Sequence, residues 1–549
     1  MTEWWRDAVV YQVYPRSFAD ANGDGIGDLP GITSRLPKLA ELGVDAVWLS
    51  PFYPSPQNDA GYDVSDYRDV EPIFGTLDDA DTLIARAHEL GLRVVVDIVP
   101  NHTSSEHRWF QEALAAPAGS PARARYMFRD GGGPDGSAPP NNWRSVFGGS
   151  AWTRVTEPDG SPGQWYLHLF DSTQPDVNWD DPDVHEEFAS TLRFWLDRGA
   201  DGFRIDVAHS MIKEADLPDW EDDDSPMGGT AEITEDRRPP MWDQEGVHDI
   251  YREWRRIVAA YDGDRMLVAE AWVTPYARLA RYTRPDELHQ AFNFDHCVAP
   301  WRAADQRAVV TTSVEGSRAV GAPATWVLSN HDIVRHASRF GFPPASRGLG
   351  GIGPDSPQPD AVLGLRRARA ATAFMLSLPG SAYLYQGEEL GLPEHTTLPG
   401  EVRQDPSWFR TAGEDIGRDG CRVPVPWEGD SPSFGFGTTA DTWLPQPAVY
   451  GELARDRQEG VDGSTLELYR SALRLRRDHG LGHGDTLGWV EDLCGDQQLG
   501  LRRGDVLVVV NFDGEPWALP AGAEVLLASG PLGEDGTLPC DTTVWLRGA

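Results

Sequence analysis

The sequence predicts an α/β protein built on a (β/α)8 TIM barrel, with an inserted subdomain after strand 3 and a C-terminal antiparallel β domain. Eight short apolar runs, many of them β-branched, have the character of parallel strands that are buried on both faces. Helix-period segments lie between these runs, and this alternation is typical of a parallel barrel. The predicted strands are residues 8–13, 46–49, 93–99, 202–206, 266–270, 290–294, 325–328 and 382–385.

Three of the predicted helices, at residues 33–42, 77–90 and 182–198, are each followed directly by a glycine. Glycine adopts the left-handed conformation that often ends a helix, so these positions predict where the helices stop. A last helix is predicted at residues 464–477, near the end of the barrel.

The chain divides into three predicted domains. The strand–helix alternation stops after strand 3, where residues 131–142 are rich in glycine and proline, so residues 103–170 are predicted as an inserted B subdomain. Strand-like alternation with Gly and Asp turns predicts a β domain at residues 481–549. The barrel takes residues 1–102 and 171–480. An acidic, proline-rich segment at residues 220–243 is predicted as a surface excursion in preference to a lid.

Composition excludes several classes of function. The formal net charge is −38, and a protein so acidic is repelled by phosphate backbones and anionic lipids, which argues against nucleic acid and membrane partners. The four cysteines are far apart, so neither a disulfide framework nor a cysteine-rich zinc site is expected. Without a secretory signal pattern or a long apolar run, we expect a soluble, cytoplasmic protein. The oligomeric state is left open.

Carboxylates stand at the ends of three predicted strands. The fourth strand, GFRIDVAH, carries Arg204 and Asp206, the fifth, MLVAEAW, ends in Glu270, and the seventh, TWVLSNHD, ends in Asp332. The carboxyl ends of barrel strands meet at one face, which is where active sites of such barrels form. Three acidic residues at that face are too many to explain as caps or turns.

Two carboxyl groups across a pocket suit the cleavage of a glycosidic bond, since one donates a proton to the leaving oxygen while the other attacks the sugar. Arg204 and Asp206 share one face of their strand, and the guanidinium is expected to keep the Asp206 carboxylate ionised, as a nucleophile requires. Glu270 stands between Ala269 and Ala271, and an apolar setting is expected to raise its pKa, as a proton donor requires.

Six segments resemble, in order, the characteristic segments of the α-amylase superfamily of glycoside hydrolases, family 13. QPDVNW is similar to the signature of the oligo-1,6-glucosidase and α-glucosidase branch, and the chain most resembles maltase-type α-glucosidases of actinobacteria. The resemblance implies a retaining α-glucosidase. The segments are DIVPNH (97–102), QPDVNW (174–179), GFRIDVAH (202–209), AEAW (269–272), SNHD (329–332) and LYQGEELG (384–391).

The resemblance also implies a role for each matched residue. Asp206 would be the nucleophile that forms a covalent glucosyl-enzyme, Glu270 the general acid/base, and Asp332 a third carboxylate that holds the sugar hydroxyls. An Asp59–Arg418 pair would close the pocket beyond the terminal glucose, which implies exo-action on small oligosaccharides. The implied substrate-binding residues are Asp59, Tyr62, His102, Arg204, His331 and Arg418.

The residues that follow the nucleophile bear on which bond is cleaved. In the family, valine after the nucleophile, here Val207, accompanies a preference for α-1,6 bonds. The following Ala208 and His209 are similar to maltase-type enzymes, so maltose-type α-1,4 substrates are slightly favoured. The alternatives are an oligo-1,6-glucosidase, or a transglucosylase such as a sucrose isomerase or a trehalose synthase. An inactive transporter subunit is disfavoured, because such chains lose catalytic carboxylates.

An acidic loop after strand 1 has the ligand spacing of a calcium loop, with oxygen donors at alternate positions. Gly31 stands where an EF-hand has its bidentate glutamate, and the alternative is an ordinary acidic turn. The resemblance implies that calcium binds here with a structural and not a catalytic role. The predicted metal ligands are Asp20, Asn22, Asp24, Ile26 through its carbonyl, and Asp28.

Overall fold

The computed structural model describes residues 3–221, 238–342 and 350–548. A sheet of eight parallel strands forms a nearly closed barrel, in the spatial order seven, eight, one, two, three, four, five, six. The predicted fold class is confirmed. The barrel strands, numbered one to eight along the chain, are Val9–Val13, Ala46–Leu49, Arg93–Ile98, Gly202–Ile205, Met266–Ala269, Gln290–Ala291, Thr325–Val327 and Ser381–Tyr385.

Alternate residues of each strand belong to two different apolar clusters. In strand 3, Val94 and Val96 point outward into the large cluster between the sheet and the helices. Val95 points inward and packs with Trp48 and Met266 inside the barrel. Both faces are therefore covered, which explains why the strands read as continuous apolar runs.

The helices surround the barrel and carry clear end signals. Leu29–Leu42 begins four residues before its predicted start, because the carboxylate of Asp28 caps it by accepting from the N–H of Gly31 at 2.6 Å. Among the described residues, none of the helices has the length and apolar character that a bilayer crossing requires. The longer helices are Leu29–Leu42, Leu77–Glu89, Arg108–Ala115, Pro182–Asp197, Val247–Val258, Ala303–Val320, Ala361–Met375 and Thr465–Asp478. The shorter ones are Pro121–Ala124, Tyr276–Leu279, Phe294–Val298, His336–Arg339, Pro406–Arg410, Val449–Glu452 and Arg455–Gln458.

The segment between barrel strands 3 and 4 contains regular structure that its sequence did not reveal. Two helices are followed by a three-stranded antiparallel sheet of Phe128–Arg129, Trp152–Thr156 and Pro162–Leu167. These strands are short and separated by a glycine-rich stretch, so their period-two pattern is too brief to stand out. The excursion predicted at residues 220–243 lies mostly outside the described residues.

The carboxyl-terminal part of the chain is an antiparallel β domain that packs on the barrel. Asp541 joins the two by accepting from Trp301 at 3.0 Å, Arg366 at 3.1 Å and Arg367 at 2.8 Å. The strands of the β domain are Gly488–Trp489, Gln498–Arg503, Val506–Asn511, Glu524–Ala528 and Thr542–Arg547 in one sheet, and Trp517–Ala518 and Thr537–Leu538 in another.

A buried polar chain lies behind the ends of barrel strands 7 and 8. The Ser329 hydroxyl is 2.8 Å from Nδ1 of His336, and that nitrogen is 3.9 Å from Oε1 of Glu388. The other oxygen of Glu388 has no hydrogen-bond partner in the described structure. Burial raises the pKa of Glu388 to about 8.

This raised pKa predicts that Glu388 makes stability depend on pH. Between about pH 4.5, where an unfolded glutamate titrates, and pH 8, the native state keeps a proton that the unfolded state has lost, so the free energy of unfolding falls as pH rises. Glu388→Gln mimics the neutral acid, so its stability relative to the parent should rise by about 1.4 kcal/mol per pH unit across this window. Urea unfolding at pH 5, 6, 7 and 8 measures the difference.

The matched control is Glu401→Gln, which changes an exposed glutamate and should show the parent's pH dependence. If the curves of Glu388→Gln and the parent run parallel from pH 5 to 8, Glu388 is ionised in the folded protein and the prediction is wrong.

Candidate active site

Arg204 lies at the centre of the carboxylates that end the barrel strands. Its Nη1 is 2.9 Å from Asp97 and 2.7 Å from Asp206, and its Nη2 is 2.8 Å from Glu270. Strand register brings these groups together, because Arg204 pairs with Asp97 of strand 3 and the next residue, Ile205, pairs with the end of strand 5. The structure thus brings the predicted nucleophile and the predicted acid/base onto one buried guanidinium.

The charge balance around Arg204 differs from the sequence-based expectation. Burial raises the pKa of Asp206 well above its ordinary value; Arg204 opposes this shift, while the carboxylates of Glu270, Asp97 and Asp332 add to it. Burial also raises the pKa of Asp97 to about 6. Arg204 thus favours the ionised form of Asp206, but its single charge is shared by three carboxyl groups.

Glu270 sits in a setting that is only partly apolar. Its Oε2 accepts from Nη2 of Arg204 and, at 3.0 Å, from the backbone N–H of Val207, while Oε1 accepts from Trp272 at 3.2 Å. Val207 has a φ of 41°, which is unusual for a β-branched residue and costs on the order of 1–3 kcal/mol. This strained backbone turns the Val207 N–H toward the carboxyl group. The prediction that Glu270 has apolar surroundings is therefore wrong in part, because three polar groups contact its carboxyl group.

Asp332 is held by a second cluster of positive charge. Its Oδ1 accepts from Arg418 at 2.9 Å and from Arg422 at 3.0 Å, and its Oδ2 is 3.2 Å from Nε2 of His331. Burial by itself would raise the pKa of Asp332, but His331, Arg418 and Arg422 together hold it well below its ordinary value. Asp332 is therefore held in its ionised form near neutral pH.

The predicted Asp59–Arg418 pair is formed. Nη2 of Arg418 is 2.7 Å from Oδ1 of Asp59, and its Nε is 2.6 Å from Asp405. Gln174 of the QPDVNW segment donates to Oδ2 of Asp59 at 3.1 Å. Arg418 also lies over the ring of Phe147, 5.0 Å from its centroid. The pair is thus supported from several segments far apart in the chain.

Two histidines and a tyrosine complete the set of predicted site residues. The rings of Tyr62 and His331 stack nearly parallel with centroids 5.0 Å apart, and the Tyr62 hydroxyl donates to Asp97 at 3.1 Å. His102 lies 3.2 Å from both the Tyr62 carbonyl and Gln174. Burial lowers the pKa of His102 to about 4, so this ring is neutral near pH 7 and suited to hydrogen bonding.

Sequence reasoning missed several groups that support the site. Asp97 was visible as an acidic strand end, and Arg422 lies in the same segment as Arg418, but neither was given a role. Asp405 carried only the signal of a helix cap before Pro406, and it meets Arg418 only in the fold. Lys213, buried and 2.8 Å from both Asp176 and Asn101, ties the QPDVNW segment to the end of strand 3.

The acidic loop after strand 1 uses its carboxylates to order its own backbone. Asp20 accepts from the N–H groups of Gly23 at 2.6 Å and Gly25 at 2.9 Å, and Asp28 accepts from the N–H of Asn22 at 3.2 Å. In the described ranges, no three His, Cys, Asp or Glu side chains are grouped so that they could hold a metal ion. An ion in this loop would therefore depend on the Asn22 amide and the Ile26 carbonyl as well as the carboxylates.

Comparisons with known proteins agree with this geometry. The model of the alpha amylase catalytic domain matches residues 12–484, and a domain of unknown function, DUF3459, matches residues 485–545. A probable alpha-glucosidase of Rhizobium meliloti is 41% identical over 492 residues, covering 86% of this chain and 83% of the relative. An oligo-1,6-glucosidase of Parageobacillus thermoglucosidasius is 36% identical, covering 87% and 84%.

A solved structure of an alpha-glucosyl transfer enzyme superposes with a TM-score of 0.84 at 35% identity, and the match covers 100% of both chains. The protein is a glycoside hydrolase that acts on α-glucosides. With the catalytic-domain model matched over most of its length, the chain belongs to the α-amylase family, family 13 of the glycoside hydrolases.

Proposed function

We propose that the protein is a retaining, exo-acting α-glucosidase that releases α-glucose from the non-reducing end of small oligosaccharides. The observation that carries this proposal is the pair of arginine-centred clusters. Arg204 joins Asp206 to Glu270, and Arg418 joins Asp59 to Asp332. The first cluster supplies the two reacting carboxyl groups, and the second supplies the walls that hold one glucose unit.

The contact of Asp206 and Glu270 with neighbouring nitrogens of one guanidinium supports a retaining mechanism. Retaining glycosidases keep their two carboxyl groups close together, whereas inverting enzymes leave room for a water molecule between them. Asp206 would attack the anomeric carbon as Glu270 protonates the leaving oxygen, which forms a covalent glucosyl-enzyme. Glu270, now a carboxylate, would then take a proton from water, whose oxygen displaces Asp206.

Asp332 and its neighbours would bind the sugar in this proposal. A carboxylate kept ionised by Arg418 and Arg422 can accept hydrogen bonds from two sugar hydroxyls, and such bonds strengthen as positive charge develops in the transition state. His102 and His331 would hydrogen-bond the same glucose. Tyr62, stacked on His331, would present an aromatic face to the sugar.

The Asp59–Arg418 ion pair supports exo-action. Both side chains are largely buried, and the pair links residues 359 positions apart in the chain. A closed ion pair beyond the terminal glucose leaves no path for a longer polysaccharide to continue through the site. Short substrates with a free non-reducing end therefore fit, and internal bonds of starch do not.

The preferred linkage is proposed as α-1,4, because Ala208 and His209 are similar to maltase-type enzymes, with α-1,6 as the second candidate. The side chain of Val207 packs in an apolar cluster with Phe170 and Trp242, next to the predicted nucleophile. Val207 and the likeness to an oligo-1,6-glucosidase favour the α-1,6 alternative. The likeness to an alpha-glucosyl transfer enzyme favours transfer to a sugar acceptor, as in a sucrose isomerase or a trehalose synthase. The cytoplasmic location stays a prediction.

A panel of glucosides tests this proposal directly. The protein should release glucose from maltose faster than from isomaltose, and starch should yield almost none, because the Asp59–Arg418 pair blocks internal binding. Chromatography identifies the products, with sucrose and trehalose included. Faster cleavage of isomaltose would replace the α-1,4 assignment by α-1,6. Trehalose or isomaltulose as main product would contradict hydrolysis.

Substitution of the two carboxyl groups tests their roles. Asp206→Asn should reduce kcat by at least about 10⁴-fold, because no glucosyl-enzyme can form. Glu270→Gln should still form the glucosyl-enzyme from p-nitrophenyl α-glucoside, whose leaving group needs little protonation, and mass spectrometry of the protein should detect one added glucosyl unit. Asp216→Asn, an exposed change ten residues from the nucleophile, should leave kcat unchanged. Near-parent turnover by Asp206→Asn would reject the assignment.

Calcium binding by the loop from Asp20 to Asp28 is proposed as a structural property. The alternating oxygen donors and the exposed carboxylate of Asp24 support it. Calcium at 100 times its Kd should stabilise the chelator-treated protein by about 2.7 kcal/mol, and Asp24→Ala should reduce this gain. Thermal unfolding and elemental analysis measure both. If no calcium copurifies and added calcium does not change Tm, the loop is an ordinary acidic turn.

A further inference from the structure

The loop that carries Asp59 and Tyr62 has an unusually strained backbone. Three of its residues have positive φ, namely Gln57 at 64°, Ala60 at 51° and Gly61 at 106°. Left-handed conformations at residues other than glycine cost on the order of 1 kcal/mol or more, and they persist only where the surroundings determine them strongly. Contacts with neighbouring residues must therefore hold this turn in shape, because the positions of Asp59 and Tyr62 both depend on it.

The carboxylate of Asp63 makes contacts that hold the turn. Its Oδ1 accepts from the Ser55 hydroxyl at 2.8 Å and from the N–H of Asp59 at 3.2 Å, and its Oδ2 accepts from the N–H of Asn58 at 2.8 Å. The Ser55 hydroxyl in turn accepts from the N–H of Gln57 at 2.9 Å. Asp63 thus connects the start of the turn to the backbone on which Asp59 is mounted.

Asp63 is fully buried and makes these contacts without a paired cation. In the described ranges no Arg, Lys or His forms an ion pair with it; its charged neighbours are Asp59 and, at longer range, Arg16. Burial raises the pKa of Asp63 to about 6. A buried carboxyl group without a paired cation is costly for the fold, and the hydrogen bonds of Asp63 to the turn offset this cost.

We propose that Asp63 is a positioning residue that fixes Asp59 against Arg418 and so sets the end of the glucose pocket. This inference rests on the proposed function, in which Asp59 and Arg418 bind the non-reducing end. Asp59 forms its 2.7 Å ion pair only while its backbone stays where Asp63 holds it. Because the terminal glucose is held in both the ground state and the transition state, a displaced Asp59 weakens both equally, which raises KM and leaves kcat nearly unchanged.

Asp63→Asn is the informative substitution. Its amide nitrogen is a donor facing the N–H of Asn58, which is also a donor, so at least one contact of the turn is lost. We expect KM for maltose to rise about tenfold, while kcat stays within about threefold. A purely structural role predicts the opposite, since a smaller folded fraction lowers apparent kcat with KM unchanged. Asp66→Asn, an exposed change in the same segment, is the control.

A double-mutant cycle with Asp59→Ala shows whether Asp63 acts through Asp59. In the Asp59→Ala background, Asp63→Asn should add no further increase in KM, because the group it positions is gone. The Kd of glucose, measured by calorimetry, replaces KM if turnover of Asp59→Ala is too slow. Additive effects would overturn the inference.

The outcomes separate this inference from the proposed function. If Asp59→Ala itself leaves KM and the Kd of glucose unchanged, the proposed pocket is wrong. If Asp59→Ala raises them but Asp63→Asn does not, only the role of Asp63 is wrong. Should Asp63→Asn not fold, Ser55→Ala removes a single contact of the same carboxylate and should raise KM in the same direction.

Discussion

The sharing of one buried guanidinium by three carboxyl groups is the interaction on which the rest of the site depends. Arg204 has no exposed surface, and it contacts Asp97, Asp206 and Glu270 from three adjacent barrel strands. Burial away from water is the main reason why the pKa values of Asp206 and Asp97 are raised, and for Asp206 the neighbouring carboxylates add to the shift. In the proposed reaction, such a cluster would stabilise the positive charge that develops on the sugar carbon.

The neighbouring cluster has a different charge balance and therefore a different property. Arg418 and Arg422 together face Asp332 and Asp405, so each of these two acids lies near two cations. The pKa of Asp332 is held well below its ordinary value, and that of Asp405 is lowered to about 2. The pKa values of Asp332 and Asp405 are thus shifted in the opposite direction from those of Asp206 and Asp97, because each of the first two acids lies near two arginines.

Precise placement of these groups is maintained by strained backbone and by residues that would not touch the substrate. Val207 turns its N–H toward Glu270 only through a left-handed φ, and the turn before Tyr62 contains three positive φ values. Such conformations are stable only because buried hydrogen bonds, such as those of Asp63, compensate them. Strained backbone and buried polar contacts thus occur together around the residues that we propose to bind the sugar.

The sequence by itself determined the barrel, its eight strands and the three carboxylates at their ends. These features follow from local patterns, since the apolar periodicity of a strand and the residue after its last apolar position are both read along the chain. Asp59 and Arg418 were identified from segments that resemble a family, and the two residues do meet in the structure.

Only the tertiary structure decided how the charges are shared. The sequence placed Arg204 beside Asp206 on one strand, but whether it also serves Asp97 and Glu270 depends on the register of three strands. The role of Asp405 was likewise not predictable, because its local pattern indicates only a helix cap and its contact with Arg418 is made only in the fold. A pKa depends on every charge within a few ångströms and on the loss of water, and neither quantity is a local property of the chain.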